Sequence, residues 1–538
     1  MSAHTNKVRA SVRFGSDDRK VHLVVEQVLA WLRLQVTAQA NLRSDSRAIE
    51  PGDVFVAYAL EGADNQPHIL NAIERGAAAV LCQLDAGMIQ AQAGTDVPLG
   101  VPLLTVAELD KLAGPIASGW YEEPSAAMCV LGVTGTNGKT SITHWLAHAL
   151  SAYGQACGLI GTLGSGMPGA LVYTGFTTPN APQLQQNFAT LHRAGAKCVA
   201  IEVSSHGLAQ GRVNGTAFDI AIFTNLSQDH LDYHQTFAAY EAAKARLFHW
   251  PGLSHVVINR DDAAGRRLLD SLRGAKPPVR AIAYGIDTPS VPLYGDAQLT
   301  ASDIRATANG TAFKISGDFG SGDIEVATLG EFNVSNLLAV LGGLLAAGVP
   351  FDAALVQIAK LQPVTGRMQR IEGRGQQAEP LVVIDYAHTP DALEKTLAAL
   401  RPTATQRKGQ LICLFGCGGD RDVSKRPLMG AIAERLADQV VLTSDNPRSE
   451  VPAEIIDQIA AGMKAPEQAR RVDDRAIAIL QTIRAAAPED LIVLAGKGHE
   501  ATQEIAGKKR PFSDQDHALL ALAARAQHAS STSKGDGA

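Results

Sequence analysis

The sequence has little of what marks a secreted, membrane-spanning or nucleic-acid-binding protein. Only six of its 538 residues are cysteine, and Cys413 and Cys417 alone lie close together, so the spacing predicts neither a disulfide framework nor a zinc site. No apolar run approaches the ~18 residues needed to span a bilayer. Lys and Arg number 48 against 54 Asp and Glu, a net charge of −6, which gives no electrostatic footprint for nucleic acid.

The amino terminus, "MSAHTNKVRASVRFGSDDRK", is polar and lacks the apolar stretch of a secretory signal. Together with the sparse cysteines, this predicts a reduced, soluble protein of the cytoplasm. Aromatic residues make up only 5% of the chain, whereas alanine and glycine are abundant. That composition favours a helix-rich α/β enzyme.

Short apolar runs that end in polar or glycine residues alternate with helical stretches, first in "AMCVLGVTG", "KCVAIEVSS", "DIAIFTNLS" and "HVVINRDD" and again from about residue 380. This rhythm predicts an α/β fold with mainly parallel sheets. A segment rich in Gly, Pro and Gln near residue 366 separates the two blocks. We therefore expect three domains, at 1–124, 125–366 and 367–538, with disorder at 1–20 and 530–538.

The stretch "LGVTGTNGKTSI" places a strand, a glycine-rich turn and a helix in succession. Backbone N–H groups of such a turn cradle phosphates, the lysine reaches the outer phosphates, and the following threonine holds Mg²⁺. Val133 departs from the general pattern, which has glycine six residues before the lysine. The alternative, a plain glycine turn, is disfavoured by the complete G-K-T. The predicted nucleotide-binding residues are Gly135, Thr136, Asn137, Gly138, Lys139, Thr140 and Ser141.

The tetrapeptide "NRDD", which begins at Asn259, resembles the guanine-reading N-K-x-D of GTPases, with arginine in place of lysine. The switch elements of a GTPase are not recognisable in the sequence. We therefore favour ATP, with Asn259 near the base. A plain strand-to-helix turn explains these four residues equally well.

Lys244 falls inside the apolar stripe of the helix predicted for "TFAAYEAAKARLFHW". One explanation is a snorkelling lysine whose stem covers apolar surface; the other is a buried, reactive amine. Glu202 ends one predicted strand, and "NLSQDHLDYH" follows the next. Oxygen and imidazole ligands at neighbouring strand ends favour a Mg²⁺ site near the phosphate loop.

Twelve motifs appear in an order that resembles the bacterial Mur ligases, over roughly residues 40 to 515. They are "TGTNGKTS", "TTPN", "EVSSHGL", "DHLDYH", "YEAAKARLF", "GEFNVSNLLA", "GRMQRIE", "DYAHTPDAL", "GCGGDRD", "KRPLMG", "DNPR" and "AGKGHE". The resemblance implies an amino-terminal domain for a uridine nucleotide, a central P-loop ATPase and a carboxyl-terminal Rossmann-like domain. It also implies ATP-dependent joining of an amino acid to a UDP-linked peptide, in the cytoplasm, for peptidoglycan precursor synthesis.

The resemblance also assigns roles residue by residue. It implies that Lys139, Lys244 and His230 are catalytic, and that Mg²⁺ is held by Thr140, Glu202, His230 and a carbamylated Lys244. Further ATP contacts are expected from Asn333, Asn336, Arg367 and Asp385. Contacts to the UDP-muramoyl-peptide are expected from Ser46 and Arg47, beside Asp45, and from Thr177, Thr178, Ser204, Gln210 and Arg212.

The motif "DNPR" carries the expected choice of amino acid. Meso-diaminopimelate differs from lysine by one carboxylate at its far end, and an arginine fork binds a carboxylate bidentately. Arg448 is therefore expected to read that carboxylate, and by the resemblance "DNPR" marks the diaminopimelate-adding members. The expected pocket consists of Arg421, Asp445, Asn446, Arg448, Gly496 and Glu500.

Three other functions compete with this prediction: a lysine-adding Mur ligase, a folylpolyglutamate-synthase-like ligase, and a regulatory P-loop NTPase. The last leaves the second α/β block unexplained. The loop at 60–68 departs from the family pattern, so the resemblance assigns no sugar contacts there. We expect a monomer whose partners are small molecules, with no nucleic acid and no membrane insertion.

Overall fold

A computed structural model describes residues 18–58, 65–83, 100–274, 278–286, 295–307, 310–371 and 379–532. The chain divides into two compact units. The first comprises Met1–Leu226, His234–Leu299 and Ala339–Gln357, and the second Ser227–Tyr233, Thr300–Leu338 and Ile358–Ala538.

The amino-terminal part of the first unit is a four-stranded parallel sheet in the order β1-β2-β3-β4. Its strands and helices are β1 Leu42–Arg43, β2 Val54–Ala57, β3 Ala79–Gln83, β4 Leu103–Val106, α1 Asp18–Gln35, α2 Gln66–Glu74 and α3 Leu109–Trp120. Successive residues of a strand face opposite sides. Val54 and Val56 accordingly join one apolar cluster, while Phe55 and Ala57 join another. Both faces of the sheet are therefore buried, as expected of a parallel sheet.

The central part of the first unit is a larger sheet in the order β12-β11-β10-β5-β9-β6-β7-β8. Its strands are β5 Cys129–Thr134, β6 Cys157–Gly161, β7 Gly164–Met167, β8 Ala170–Val172, β9 Cys198–Glu202, β10 Ile220–Phe223, β11 His255–Asn259 and β12 Arg280–Ile286. The pairs from β12 to β6 are parallel, whereas β6 with β7 and β7 with β8 pair antiparallel. The predicted α/β class is confirmed.

Strand register brings the predicted site residues to one edge of this sheet. Thr134 pairs with Phe223, and Val133 pairs with Glu202. The carboxyl ends of three adjacent strands therefore meet where the glycine-rich turn begins. The helices between these strands are α4 Lys139–Ala152, α5 Ala181–Arg193, α6 Ser205–Ala209, α7 Leu231–His234, α8 Phe237–Ala245 and α9 Ala263–Ser271.

Three further strands and two helices follow along the chain: β13 Ala297–Ala306, β14 Thr311–Gly317, β15 Gly320–Val326, α10 Glu331–Ala346 and α11 Phe351–Ile358. The strands β14 and β15 pair antiparallel. Late in α10, a Cβ at Gly342 would lie 2.5 Å from Val257 Cγ1, and one at Gly343 would lie 2.8 Å from Leu146 Cδ2. The two glycines therefore allow this part of α10 to approach its neighbours closely.

The carboxyl-terminal part of the second unit is a six-stranded sheet in the order β16-β17-β21-β18-β19-β20. Only β16 runs antiparallel to its neighbour. The strands are β16 Gln369–Ile371, β17 Leu381–Asp385, β18 Leu411–Phe415, β19 Gln439–Leu442, β20 Arg470–Arg471 and β21 Leu491–Ala495, with a hairpin of β22 Thr502–Ile505 and β23 Lys508–Pro511. Five helices accompany them: α12 Pro390–Arg407, α13 Lys425–Leu436, α14 Pro452–Ala460, α15 Arg475–Ala485 and α16 Asp514–Thr532.

The disorder expected at 1–20 and 530–538 is corrected at both ends. The helix α1 already begins at Asp18, and α16 continues to Thr532. The rest of both terminal segments lies outside the described residues, as do residues 60–64 of the loop that departs from the family pattern. The three-domain boundaries stay a prediction. All six cysteines are free thiols. In the described parts of the chain, no helix is long and apolar enough to cross a membrane.

Candidate functional site

The glycine-rich turn is shaped by close backbone approach. At Gly135, where φ is +145°, an added Cβ would lie 1.9 Å from Thr224 Oγ1. Gly138, with φ of +89°, is the residue before the first turn of α4, which begins at Lys139. Both positions require glycine, because a larger residue would clash at the first and be strained at the second. The turn therefore leads directly into the amino terminus of α4, where its backbone N–H groups lie.

The end of β10 holds this turn in place. Asn225 O accepts from Thr136 N at 2.8 Å, and Asn225 Oδ1 accepts from Asn137 N at 3.0 Å. Lys139 Nζ donates to Gly135 O and Thr136 O, each at 2.9 Å. Ser141 is buried in the first turn of the helix. The predicted phosphate loop is thus a pre-organised cradle with its lysine folded against it.

Glu202, at the end of β9, is 1% exposed. Its Oε2 accepts from Thr140 Oγ1 at 2.9 Å, and its Oε1 accepts from Thr162 N at 2.8 Å. The structure therefore brings two of the predicted Mg²⁺ ligands together. Thr162 was not predicted, since its only sequence signal is its place one residue after a strand end.

Lys244 does not snorkel, because its side chain is only 2% exposed. Its Nζ donates to Gly135 O at 2.8 Å and lies 4.6 Å from the centre of the Tyr240 ring. Tyr240 in turn places its hydroxyl 3.1 Å from Thr136 Oγ1. Of the two explanations, the structure supports the buried amine, which lies at the phosphate loop; its reactivity stays a prediction. Tyr240 was expected only as part of an apolar stripe.

His230 belongs to the second unit. Its backbone has φ of +54°, its side chain is 46% exposed, and Nε2 lies 3.4 Å from Asp229 Oδ2. Among the residues that the structure describes, no three His, Cys, Asp or Glu side chains are grouped as a metal site. The place of His230 in the Mg²⁺ site stays a prediction.

Asn259 has a structural explanation. Its Nδ2 donates to Thr224 O at 2.8 Å, and its Oδ1 accepts from Asp261 N at 2.9 Å. These bonds join the end of β11 to the neighbouring strand and to the turn before α9. These bonds explain the presence of Asn259 without invoking a ligand, which favours the turn interpretation. Its contact with ATP stays a prediction.

The central residues predicted to bind the muramoyl-peptide lie together. Thr178 Oγ1 donates to Glu202 O at 2.8 Å and accepts from Ser204 N at 2.9 Å. Arg212 donates through Nη1 to Thr178 O and through Nε to Gln210 Oε1, at 2.9 and 2.8 Å. The structure thus groups four of the five around the end of β9.

Thr177, the fifth, lies 3.0 Å from Thr162 through their hydroxyls. The guanidinium of Arg212 lies 5.3 Å from the centre of the Phe176 ring, a contact that the sequence did not indicate. In the amino-terminal sheet, Ser46 is buried, while Arg47 is exposed and pairs with Asp45 at 2.9 Å.

The remaining residues expected around ATP lie in the second unit. Asn333 donates through Nδ2 to Leu329 O at 2.9 Å, and Asn336 donates to Asn333 Oδ1 at 3.2 Å. Arg367 lies 4.3 Å from the centre of the Tyr386 ring. Asp385, at the end of β17, accepts from Met368 N at 2.8 Å. Burial raises the pKa of the Asp385 carboxyl, against the opposing charge of Arg367.

The loops after β19 and β21 bring the expected diaminopimelate residues together. Asp445 and Asn446 are buried, and Asn446 Nδ2 donates to Glu500 Oε2 at 2.7 Å. A Cβ at Gly496, where φ is +107°, would lie 2.6 Å from Asp445 Oδ2. Glycine at 496 therefore lets the Asp445 carboxylate pack against this loop, where a larger residue would clash.

A lysine that the sequence did not single out supports this cluster. Lys497 is fully buried, and its Nζ donates to Asn446 Oδ1, Glu500 Oε2 and Thr502 O at 3.1, 2.9 and 2.9 Å. Burial acts to raise the pKa of Glu500, but the charge of Lys497 and the hydrogen bonds from Lys497 and Asn446 together lower it below its usual value. Burial raises the pKa of Asp445 despite the same lysine. The sequence pattern that could have identified Lys497 was a lysine between two glycines directly after a predicted strand.

Arg448 adopts a left-handed backbone conformation, with φ of +52°. The hairpin fixes it there, since Arg448 N donates to Glu504 O at 3.0 Å and its carbonyl accepts from Ala506 N at 2.7 Å. Its Nη1 donates to Gly419 O at 2.5 Å. Arg421 is exposed and contacts Asp420 O at 3.4 Å.

A buried ion pair lies directly behind the two loops. Arg475 and Asp514 are both fully buried and join through two bonds of 2.7 Å, while Arg475 Nη2 also donates to Ala495 O at 2.9 Å. Breaking such a pair leaves an uncompensated charge and costs about 3–5 kcal/mol. We expect Arg475→Ala to lower the stability of this unit by that amount, measured by scanning calorimetry. Arg484→Ala, exposed on the same helix, should change it by less than about 0.5 kcal/mol.

The paired replacement Arg475→Met with Asp514→Leu removes both charges and should recover part of that loss. If Arg475→Ala melted like the Arg484 control, the buried pair would not contribute as argued.

Comparison with known proteins gives two matching family models: the Mur ligase middle domain over residues 133–344 and the Mur ligase glutamate ligase domain over residues 366–498. A UDP-N-acetylmuramoyl-L-alanyl-D-glutamate–2,6-diaminopimelate ligase of Ralstonia nicotianae is 57% identical over 93% of this chain and 96% of its own length.

Solved structures show the same similarity. A UDP-N-acetylmuramoyl-L-alanyl-D-glutamate–2,6-diaminopimelate ligase is 35% identical, with a TM-score of 0.61 over 91% of this chain and 95% of the other. A MurF ligase from Thermotoga maritima in complex with ADP shares the fold at 15% identity, with a TM-score of 0.62 over 91% and 99%. The chain therefore belongs to the Mur ligase family of ATP-dependent, amide-forming ligases.

Proposed function

We propose that this chain joins meso-diaminopimelate to UDP-N-acetylmuramoyl-L-alanyl-D-glutamate, with ATP converted to ADP and phosphate, in the synthesis of a peptidoglycan precursor. The observation that carries the choice of amino acid is the cluster of Asp445, Asn446, Glu500 and Arg448, which combines amine acceptors with a carboxylate-binding fork. The 57% identical relative named for this reaction supports the same conclusion.

The chemistry requires activation of a carboxylate, because amide formation from a carboxylate and an amine is unfavourable in water. Transfer of the terminal phosphoryl group of ATP gives an acyl phosphate, which the amine attacks with loss of phosphate. Lys139, at the phosphate loop, neutralises charge on the transferred group. Holding both substrates in reacting positions contributes up to ~7–11 kcal/mol in favourable cases.

The residues near the loop suit Mg²⁺, which prefers hard oxygen ligands. The Thr140 hydroxyl lies 2.9 Å from the buried carboxylate of Glu202, so two such ligands are already adjacent. We propose that Thr140, Glu202, His230 and a modified Lys244 hold the ion, which supplies charge neutralisation for the phosphoryl group when bound. The burial of Thr140, Glu202 and Lys244 holds these three side chains away from bulk water.

The modification of Lys244 is a carbamate. The neutral amine attacks carbon dioxide, forms an N–C bond and loses a proton, which leaves a carboxylate-like group on the lysine. Desolvation favours the neutral amine, and the Lys244 side chain is 2% exposed. Carbamylation of Lys244 replaces a cation at the phosphate loop with an anion able to bind Mg²⁺.

Selection of diaminopimelate over lysine follows from the chemistry of their far ends. Both carry an amine there, for which Asp445, Asn446 and Glu500 offer oxygen acceptors. Only diaminopimelate adds a carboxylate, which the guanidinium of Arg448 binds. Arg421, at the neighbouring loop, and Gly496, beside the Asp445 carboxylate, complete the pocket. The expected monomeric state and cytoplasmic location belong to the same proposal.

The decisive experiment measures phosphate release from ATP with UDP-N-acetylmuramoyl-L-alanyl-D-glutamate and either meso-diaminopimelate or L-lysine. We expect release with diaminopimelate and little with lysine. Preference for lysine would keep the ligase reaction but overturn the role of Arg448. Release that does not depend on either amino acid would instead favour a regulatory nucleotide hydrolase.

A further inference from the structure

The two loops that carry Arg421 and Arg448 are bound to each other. Gly419 N donates to Asn446 O at 2.9 Å, and Ser449 donates to the Asp420 carboxylate through N and Oγ, at 3.2 and 2.5 Å. A Cβ at Gly419 would lie 2.0 Å from Pro447 O. The loops therefore have no room to slide past one another without breaking these bonds.

One fully buried cation, Arg426 on α13, fastens both loops from behind. Its Nη1 and Nη2 donate to Glu450 Oε2 and Oε1 at 2.7 and 2.9 Å. Nη2 also donates to Gly418 O at 3.1 Å, and Nη1 donates to Gln458 Oε1 at 2.5 Å. Glu450 further accepts from Asp420 N at 2.6 Å. A single guanidinium thus contacts the loop before Arg421 and the loop after Arg448.

The bond from Arg426 is strong. Its guanidinium holds the pKa of Glu450 far below its usual range, at about 2, so the carboxylate stays ionised and paired at neutral pH. Arg448 itself lies in a left-handed conformation that a non-glycine residue adopts only when its surroundings impose it. The carbonyl of Gly419, which receives Arg448 Nη1, belongs to the loop that Arg426 fastens. The direction of the Arg448 fork therefore depends on Arg426.

We propose that Arg426 is a positioning residue for diaminopimelate selection, acting on the amino acid's extra carboxylate only through Arg448. The inference rests on the proposed function. It gives different roles to two buried cations at one pocket. Arg426 orients the Arg448 fork that binds the carboxylate, whereas Lys497 orients Asn446 and Glu500, which bind the amine. Use of diaminopimelate depends on both cations. Use of an amino acid whose far end carries an amine but no carboxylate depends on Lys497.

The test is a double-mutant cycle on Arg426 and Arg448. Arg426→Lys keeps the charge but loses the bidentate fork, and Arg426→Met removes both. We expect each to raise KM for meso-diaminopimelate about tenfold or more, with KM for ATP and for the nucleotide substrate unchanged within about twofold. In an Arg448→Ala background, the same substitutions should add less than about twofold, because the residue they position is absent.

Two control variants distinguish this result from a general loss of structure. Arg435→Met, exposed on the same helix and paired with the partly exposed Glu394, should leave KM for diaminopimelate unchanged. Lys497→Met should impair diaminopimelate and any residual lysine use alike. Circular dichroism and melting temperature confirm that each variant is folded.

Additive effects of Arg426 and Arg448 substitutions would overturn the positioning role, even if the ligase reaction is as proposed. So would an Arg426→Lys variant with wild-type KM for diaminopimelate. If the unmodified protein shows no diaminopimelate-dependent phosphate release, the proposed function itself fails. The two failures are therefore distinguishable.

Discussion

Replacing Lys244 with alanine is expected to slow ATP-dependent ligation by roughly 10²–10³-fold, the range seen when one pre-organised electrostatic group is removed from an active site. The side chain is buried, and its Nζ donates to Gly135 O at the phosphate loop at 2.8 Å. Neither the snorkelling explanation nor a surface role accounts for that position. The measurement is kcat for phosphate release with saturating substrates.

The sign of the charge at Lys244 decides between two roles. If the amine acts as a cation, Lys244→Arg should retain much of the activity and Lys244→Glu little. If it acts as a carbamate, Lys244→Arg should be as slow as Lys244→Ala, and formate or acetate added to the alanine variant should restore part of the rate. Nuclear magnetic resonance after labelling with carbon-13 bicarbonate gives an independent readout of the carbamate. Wild-type activity in Lys244→Ala would contradict both roles.

Arg448→Ala is the second large effect. Removing one partner of a hydrogen-bonded charge pair at a binding site costs about 2–5 kcal/mol, so even the lower limit raises KM for meso-diaminopimelate roughly 30-fold. We expect the lower part of that range, because the Arg448 side chain is 25% exposed. KM for ATP should not change, since the proposed role of the fork is to bind the amino acid and not the nucleotide.

The control for Arg448 is Arg510→Ala, an exposed arginine on the adjacent hairpin. It should leave KM for diaminopimelate unchanged. Discrimination against L-lysine gives a second readout, which should fall in Arg448→Ala by the same factor as diaminopimelate use. Unchanged affinity for diaminopimelate in this variant would remove the main argument for the choice of amino acid.

Local sequence patterns predicted the fold class and the strand ends well. The run from Leu131 to Ser141 contains strand, turn and helix signals in one short window, and its structure follows them. Glu202 and Asp385 each end a strand as their apolar runs indicated. Such features depend on neighbours in the chain, which a sequence displays directly.

The supporting residues were harder to foresee, because their partners are distant along the chain. Lys497 meets Asn446, Arg426 meets Glu450, and Arg475 meets Asp514. Each of these basic residues looks like an ordinary surface cation in the sequence, and only the tertiary fold buries it. Asn259 is a different case, since the two explanations of its motif were equally good in the sequence, and the hydrogen bonds between strand and turn support the structural one.

The buried pair of Arg475 and Asp514 has a practical consequence for protein engineering. Asp514 is the first residue of the terminal helix α16, whose Ala518, Ala521 and Leu522 cover one face of the six-stranded sheet. Arg475 also reaches Ser444 O and Ala495 O, immediately before Asp445 and Gly496. A truncation that removes this helix would therefore remove the carboxylate that pairs with Arg475, and with it the support of the loops after β19 and β21. Crystallisation fragments and fusion proteins should keep the chain intact through α16.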